Sequence, residues 1–337
     1  MSVGRTGYQH WTGRRRNIWY RRWVIAAQGL GACLQGRWLK RLIVVSWSAA
    51  LAQVAILFFV GQLLVPDSLI VRSLGNFGEL PRSIAQGLMV WLEQNPEVSV
   101  GVTQNFLFYH FSRFYLPVTM LSLALALPHL ISRDLAGNAM VLYVSKAVNR
   151  SDYVLGKLGA SLGLLVLTWL GPICAVWLLG NLLAPQWHFF WHSRAALGHA
   201  VAFVVISMLI LSGLALGVSA LSGREKVPVG AWLALWLVGG FISRGPRRQG
   251  VENPAQAWLE NLSVTFNLEQ IAAALFRLPD DLKLAQDNIP FFSQVTGNLR
   301  PETMATLQDP DLAGAAIALG LLLAAATVLI YRRVQPQ

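Results

Sequence analysis

Two of the six histidines stand at a spacing that can bind a metal ion. His188 and His192 are four residues apart, so a helix would place both imidazole rings on one face. The residues between and beside them are tryptophan and phenylalanine, which offer no metal ligand and are typical of the aromatic belt at a membrane surface. We therefore predict no metal site, and an integral membrane metalloenzyme built on this pair stays as an alternative.

A second group of chemically capable residues is concentrated in residues 131–157, between two apolar stretches. Asp134 precedes a run of small and apolar residues, so its carboxylate is expected to cap a short helix over residues 135–144. Three cations follow, at Lys146, Arg150 and Lys157. A capped helix held between two longer helices would act as a rigid lever. The alternative is that the acid only caps a helix and the cations only orient the chain in the membrane.

This segment resembles the cytoplasmic loop of permease subunits of the ABC-2 family of ATP-binding-cassette exporters. That loop has an acidic residue, a glycine, a Ser-basic pair, a block ending in arginine, and a final Gly-Lys before the next span. The matching positions here are Asp134, Gly137, Ser145-Lys146, Val148-Asn149-Arg150 and Gly156-Lys157. The sequence departs from the family pattern at Asp134, where glutamate is usual, at Asn138 in place of threonine, and at Ala147 in place of proline.

The resemblance implies a transport subunit with no catalytic residue of its own. Two six-span permeases, either two copies of this chain or this chain with a related one, would form the pathway. Two separate ATPase subunits would bind below them and use ATP and Mg²⁺, so this chain itself would hold no cofactor. The coupling helix against the ATPase would contain Asp134, Leu135, Gly137, Asn138, Met140, Val141, Lys146 and Arg150.

Composition excludes several other classes of protein. Of the 337 residues, 55% are hydrophobic and only 13% are charged, whereas a soluble domain has about 25% charged residues. No apolar stretch carries Asp, Glu, Lys or Arg in its middle, which disfavours proton- and sodium-driven carriers. The chain lacks a GxxxxGK[ST] phosphate-binding loop, and its two cysteines fit no disulfide framework or zinc pattern.

The elements that must position these residues are six apolar stretches, each near the length that crosses a bilayer. We predict an all-α integral membrane protein in which residues 42–337 form one domain. The predicted spans are about 42–65, 114–131, 158–183, 199–221, 227–243 and 312–331. The fifth is the shortest, since about 17 residues separate Lys226 from Arg244.

The first 41 residues carry nine basic residues and no acid. They are predicted to be a cytoplasmic basic tail followed by an interfacial helix over residues 18–39, because aromatic rings alternate there with cations. The residues expected to contact lipid headgroups are Arg21, Arg22, Trp23, Arg37 and Trp38. The net charge of +11 is thus attributed to a membrane surface and not to nucleic acid.

Basic residues near the span ends predict that both termini lie in the cytoplasm. The resemblance to ABC-2 permeases implies that the membrane is a bacterial inner membrane. Segments 66–113 and 244–311 would then be extracytoplasmic, each with helices on or in the outer leaflet. Arg244, Arg247 and Arg248 conflict with this orientation, although they lie in a long loop, where the rule has less force. A membrane assembly scaffold that needs no ATP is a further alternative, and the sequence does not identify a substrate.

Overall fold

The computed structural model of the chain describes residues 17–63, 96–139, 149–184, 188–244, 260–288 and 309–334. Within these ranges the secondary structure is helical, with no β-strand. Five helical segments are long and apolar enough to cross a membrane: Arg37–Gln62, Val100–Ala136, Arg150–Leu182, Phe190–Ser219 and Leu312–Arg333. The prediction of an all-helical chain with membrane-spanning character is confirmed at this level.

The described residues form eleven α-helices. In chain order they are α1 Ile18–Leu34, α2 Arg37–Leu63, α3 Pro96–Leu127, α4 Arg133–Ala136, α5 Arg150–Leu165, α6 Gly171–Leu182, α7 His188–Ser219, α8 Lys226–Arg244, α9 Val264–Leu275, α10 Leu278–Asn288 and α11 Leu312–Arg333. Two π-helices of five residues, Pro128–Ser132 and Val166–Leu170, join α3 to α4 and α5 to α6.

All six predicted spans fall in helices, and most of these helices are longer than predicted. The apolar part of α8, Lys226–Phe241, is shorter than the five long segments, so six crossings are not established. Residues 66–95, 245–259 and 289–308 of the predicted extracytoplasmic segments lie outside the described residues. Further along the predicted extracytoplasmic segment, α9 and α10 agree with the helical prediction.

The second π-helix explains how α2 is held against the bundle. A π-helix bonds each N–H one residue further back than an α-helix, and Pro172 has no N–H to donate, so carbonyl oxygens inside the turn lose their usual partners. Side chains of α2 replace them. Ser46 donates its hydroxyl to the Thr168 carbonyl at 2.6 Å, and the Trp47 indole donates to the Leu167 carbonyl at 3.0 Å.

The buried core contains large aromatic side chains that satisfy their polar atoms on helix backbones. The indole of Trp169 donates to the Ser112 carbonyl at 3.0 Å, and that of Trp232 donates to the Met120 carbonyl at 2.9 Å. Both rings are almost completely buried. These bonds join α3 to the second π-helix and to α8, because a buried indole N–H without an acceptor would be costly.

The N-terminal helix differs from the prediction. A single helix over residues 18–39 was expected, but α1 ends at Leu34 and a second helix begins at Arg37. Gln35 and Gly36 break the helix between them. Arg37 and Trp38 therefore belong to the first turn of α2, and the predicted interfacial helix is shorter than expected.

Candidate functional site

The predicted coupling loop begins and ends at one corner of the bundle, where α4 meets α5. The Lys157 ammonium lies 2.8 Å from the Asp134 carboxylate, and the Tyr153 hydroxyl donates to the same oxygen at 2.7 Å. Lys157 also donates to the His129 carbonyl at 3.1 Å. One acid before the loop is thus bound to two side chains after it.

This geometry corrects the role predicted for Asp134. It does not cap a separate helix, because α4 continues from α3 through the first π-helix and Asp134 lies inside that last turn. Its carboxylate is already engaged by α5. Of the helix predicted over residues 135–144, Leu135 and Ala136 belong to α4, a turn at Gly137 and Asn138 interrupts it, Ala139 is helical again, and residues 140–144 lie outside the described residues.

A second ion pair attaches α1 to the same corner. The Arg22 guanidinium lies 2.7 Å from the Asp152 carboxylate, whose side chain is 9% exposed. Close contacts continue along both helices: a Cβ added at Gly156 would lie 2.6 Å from Ile25, and one added at Gly29 would lie 2.9 Å from Ala160. Residue numbers rise together on the two helices, so α1 runs parallel to α5 along most of its length.

A third set of contacts joins the corner to the connection between α7 and α8. The Ser219 hydroxyl accepts hydrogen bonds from the N–H groups of Ile131 and Ser132, at 2.9 and 3.1 Å, and donates to the Leu127 carbonyl at 2.7 Å. These are backbone groups of the first π-helix, where the regular ladder is interrupted. The Ser132 hydroxyl in turn donates to the Ser222 carbonyl at 2.7 Å.

The ion pairs of this corner differ in how much solvent reaches them. The side chain of Lys157 is 7% exposed and that of Asp134 is 19% exposed, so their attraction is only weakly screened. The pair between Arg133 and Glu225 is about half exposed on both sides, at 2.7 Å. The hydrogen bond from Arg133 lowers the pKa of the Glu225 carboxyl.

The remaining predicted residues are distributed around this corner. Leu135 is half-buried in α4, and Asn138 adopts a left-handed conformation with φ of 48°, which asparagine tolerates better than most residues. The Arg150 guanidinium lies over the Tyr331 ring, 5.9 Å from its centroid. Met140, Val141 and Lys146 lie outside the described residues.

Arg21 and Trp23 are on α1, as predicted, and Trp23 is 68% exposed. Arg22 is not a free lipid contact, since Asp152 binds it. Sequence reasoning did not identify Asp152, Tyr153 or Ser219 as parts of the site. Nothing in the local pattern distinguishes them, because their partners come from distant helices.

The histidine pair lies at the start of α7. His192 is half-buried, and the side chain of His188 is outside the described part of the structure. Among the described side chains, no three His, Cys, Asp or Glu residues come together in a group that could hold a metal ion. About two turns further into α7, His199 is hydrogen-bonded to Asn105 at 2.9 Å.

A separate polar cluster, at the far end of α3 from the corner, was not predicted. The Asn105 amide donates to the Phe276 carbonyl and to the Asp281 carboxylate, both at 2.5 Å. Burial raises the pKa of the Asp281 carboxyl. Two turns along α3, Arg113 pairs with Glu269 of α9. These bonds hold α9 and α10 against the spanning helices.

Comparison of the sequence with protein-family models gave no match, and neither did comparison with curated proteins. The functional interpretation therefore rests on the residues of the corner and of the loop that it carries.

Proposed function

We propose that this chain is the permease subunit of an ABC exporter of the ABC-2 type, moved by ATP hydrolysis in separate ATPase subunits. The five long segments and the shorter α8 would supply six crossings in a bacterial inner membrane, with both termini in the cytoplasm. Two ATPase subunits and a second permease, identical or related, would complete the transporter. The observation that carries the proposal is that the two ends of loop 137–149 are bonded to each other at one corner, since Asp134 before the loop contacts Tyr153 and Lys157 after it.

Coupling requires that a force on the loop reach the spanning helices. Closure of the ATPases on ATP can shift the membrane domain from one conformation to another only if the closed ATPases bind the second conformation more tightly than the first. A loop with loose ends would absorb the motion. Here Asp134 at one end is bonded to Tyr153 and Lys157 beyond the other end, so the two stems must move together.

The corner also connects the loop to three other elements. Arg22 and the close contacts along Gly156 connect it to α1, and Ser219 connects it to α7. The stacking of Arg150 on Tyr331 brings the end of α11 to the start of α5. Movement of the loop would thus reach most of the bundle.

The distribution of charge supports a cytoplasmic location for this end. Most cations of the described helix ends and short connections lie here, and basic residues are retained on the cytoplasmic side of inner membranes. They are Arg22, Arg133, Arg150, Lys157, Arg224, Lys226, Arg332 and Arg333. At the far end the charges are more nearly balanced, with the acids Glu260, Glu269, Asp280 and Asp281 together with the cations Arg113, Arg194, Arg244, Arg277 and Lys283.

The test is reconstitution of the purified chain with its ATPase in lipid vesicles. Asp134→Asn and a deletion within 139–148 should lower the stimulation of ATP turnover by the permease, while the deletion should also weaken complex formation. The exchange Asp134→Lys with Lys157→Asp should restore part of the stimulation lost in Asp134→Asn, because it rebuilds the ion pair.

Arg133→Gln serves as the control variant, since it removes an exposed pair at the same corner. Unchanged complex formation and turnover in both the deletion and Asp134→Asn would refute the proposal. So would full activity of the chain alone in vesicles that contain no ATPase.

A further inference from the structure

The junction between α1 and α2 carries three cations on one face. Arg37, Lys40 and Arg41 are separated by three and four residues, which places them together on the helix surface. All three are exposed, and Arg41 stacks on the exposed ring of Trp38, 4.8 Å from its centroid. We propose that this face binds the phosphate headgroup of an anionic phospholipid.

Within the described ranges, the lack of carboxylate partners distinguishes this face from the neighbouring corner. At the corner, Arg22, Arg133 and Lys157 each have a carboxylate partner. No described carboxylate pairs with the three junction cations, and the sequence has no Asp or Glu before Asp67. Like charges at this spacing repel one another, so an external anion would relieve the repulsion.

The position of the junction along the bundle favours a lipid. Leu39 packs in one buried cluster with Leu164 and Ala126. Leu164 lies seven residues beyond Lys157 on α5, a rise of about 10 Å. The three cations therefore lie further along the bundle than the ion pairs of the corner, in the direction from Lys157 to Leu164. At this level they are beside apolar helix surface, where unpaired charge is costly.

The same face of α2 continues as an apolar stripe. Following the spacing of three and four residues, Val44 and Leu51 are each 64% exposed, and the small residues Ser48 and Ala55 are also exposed. A cationic start followed by an apolar stripe matches an amphiphile, with its headgroup at the cations and an acyl chain along the helix. A soluble phosphate would use only the first part.

The test measures lipid binding to the detergent-purified chain and needs no ATPase, so its failure is distinct from failure of the proposed function. Native mass spectrometry with equal amounts of phosphatidylglycerol and phosphatidylcholine should show preferential retention of phosphatidylglycerol. Changing Arg37, Lys40 and Arg41 together to glutamine should lower that preference by about tenfold or more. The matched control changes Lys226, Arg332 and Arg333 to glutamine, an equal loss of charge at exposed positions, and should retain the preference.

Two further arms identify the ligand. Glycerol phosphate at the same concentration should not displace the bound lipid, and equal displacement would overturn the assignment to an amphiphile. Brominated phosphatidylglycerol should quench a component of wild-type fluorescence that is missing in Trp38→Phe, a measurement that does not depend on the triple variant. Equal lipid preference in the wild type and the triple variant, or equal loss in the control, would overturn the site.

Discussion

The buried ion pair between Asp134 and Lys157 makes the sharpest prediction, because it should behave as a unit. Asp134→Asn removes the negative charge beside the ammonium, which is 7% exposed and keeps the His129 carbonyl and the Tyr153 ring as neighbours. Lys157→Met leaves the carboxylate with the Tyr153 hydroxyl as its hydrogen-bond partner among the described residues. Removing one partner of a buried pair costs about 3–5 kcal/mol. Because Asp134 keeps 19% exposure, we expect a cost at or just below the lower limit of that range, about 2–3 kcal/mol for each single variant.

Removing both charges at once should cost no more than either single change, since no uncompensated charge then remains. The free energies of unfolding of the wild type, both single variants and the double variant, measured by reversible unfolding in mixed micelles, give the coupling between the two sites. We expect a coupling of at least about 2 kcal/mol. Additive single effects would refute the inference that the two stems of the loop are held as one body.

Three further outcomes follow from single contacts. Gly156→Leu should separate α1 from α5 and destabilise the chain by about 1–3 kcal/mol, measured by unfolding, whereas Gly101→Ala, where the added Cβ meets nothing, should change little. Ser219→Ala should cost about 1–3 kcal/mol and raise amide hydrogen exchange in the first π-helix, because it leaves N–H groups there unpaired; exchange equal to wild type would contradict this. Burial raises the pKa of the Asp281 carboxyl in the folded state above the ordinary value of 3.8. Ionisation of this carboxyl is therefore less favourable in the folded state than in the unfolded state, so the protein loses stability as the pH rises from 3.8 through the folded pKa. Asp281→Asn should therefore raise stability at neutral pH but not at pH 3, and a loss at both would contradict the reasoning.

The positions of the spanning helices were predictable because apolar runs of about 20 residues leave little choice. Their lengths were not, because charged residues such as Arg113 and Arg194 interrupt the apolar runs but not the helices. Arg113 is accommodated by Glu269, 156 residues away, so the end of an apolar run did not mark the end of the helix.

The corner was predicted in part. The sequence indicated residues 131–157 as the functional segment, and Lys157 pairs with an acid there. The sequence did not indicate that Asp134 would lie in a continuous helix. That continuity depends on the π-helix that begins at Pro128, and on Ser219, whose hydroxyl accepts hydrogen bonds from N–H groups of this π-helix. The close approach of Gly156 to Ile25 could not be predicted, because it depends on the path of α1 and no local sequence pattern specifies that path.

The three ion pairs of the corner should not respond equally to a force on the loop. The contacts of Asp134 and of Arg22 with α5 are shielded from solvent on at least one side, whereas Arg133 and Glu225 are about half exposed. Water and salt compete more effectively for exposed charges, so the last pair opens at the lowest cost. A partner that moves the loop would therefore carry α4, α5 and α1 together, with the end of α7 held to them by the buried Ser219 hydroxyl, and change their position relative to α8. The contact that breaks first would be the pair between Arg133 and Glu225, in the connection between α7 and α8.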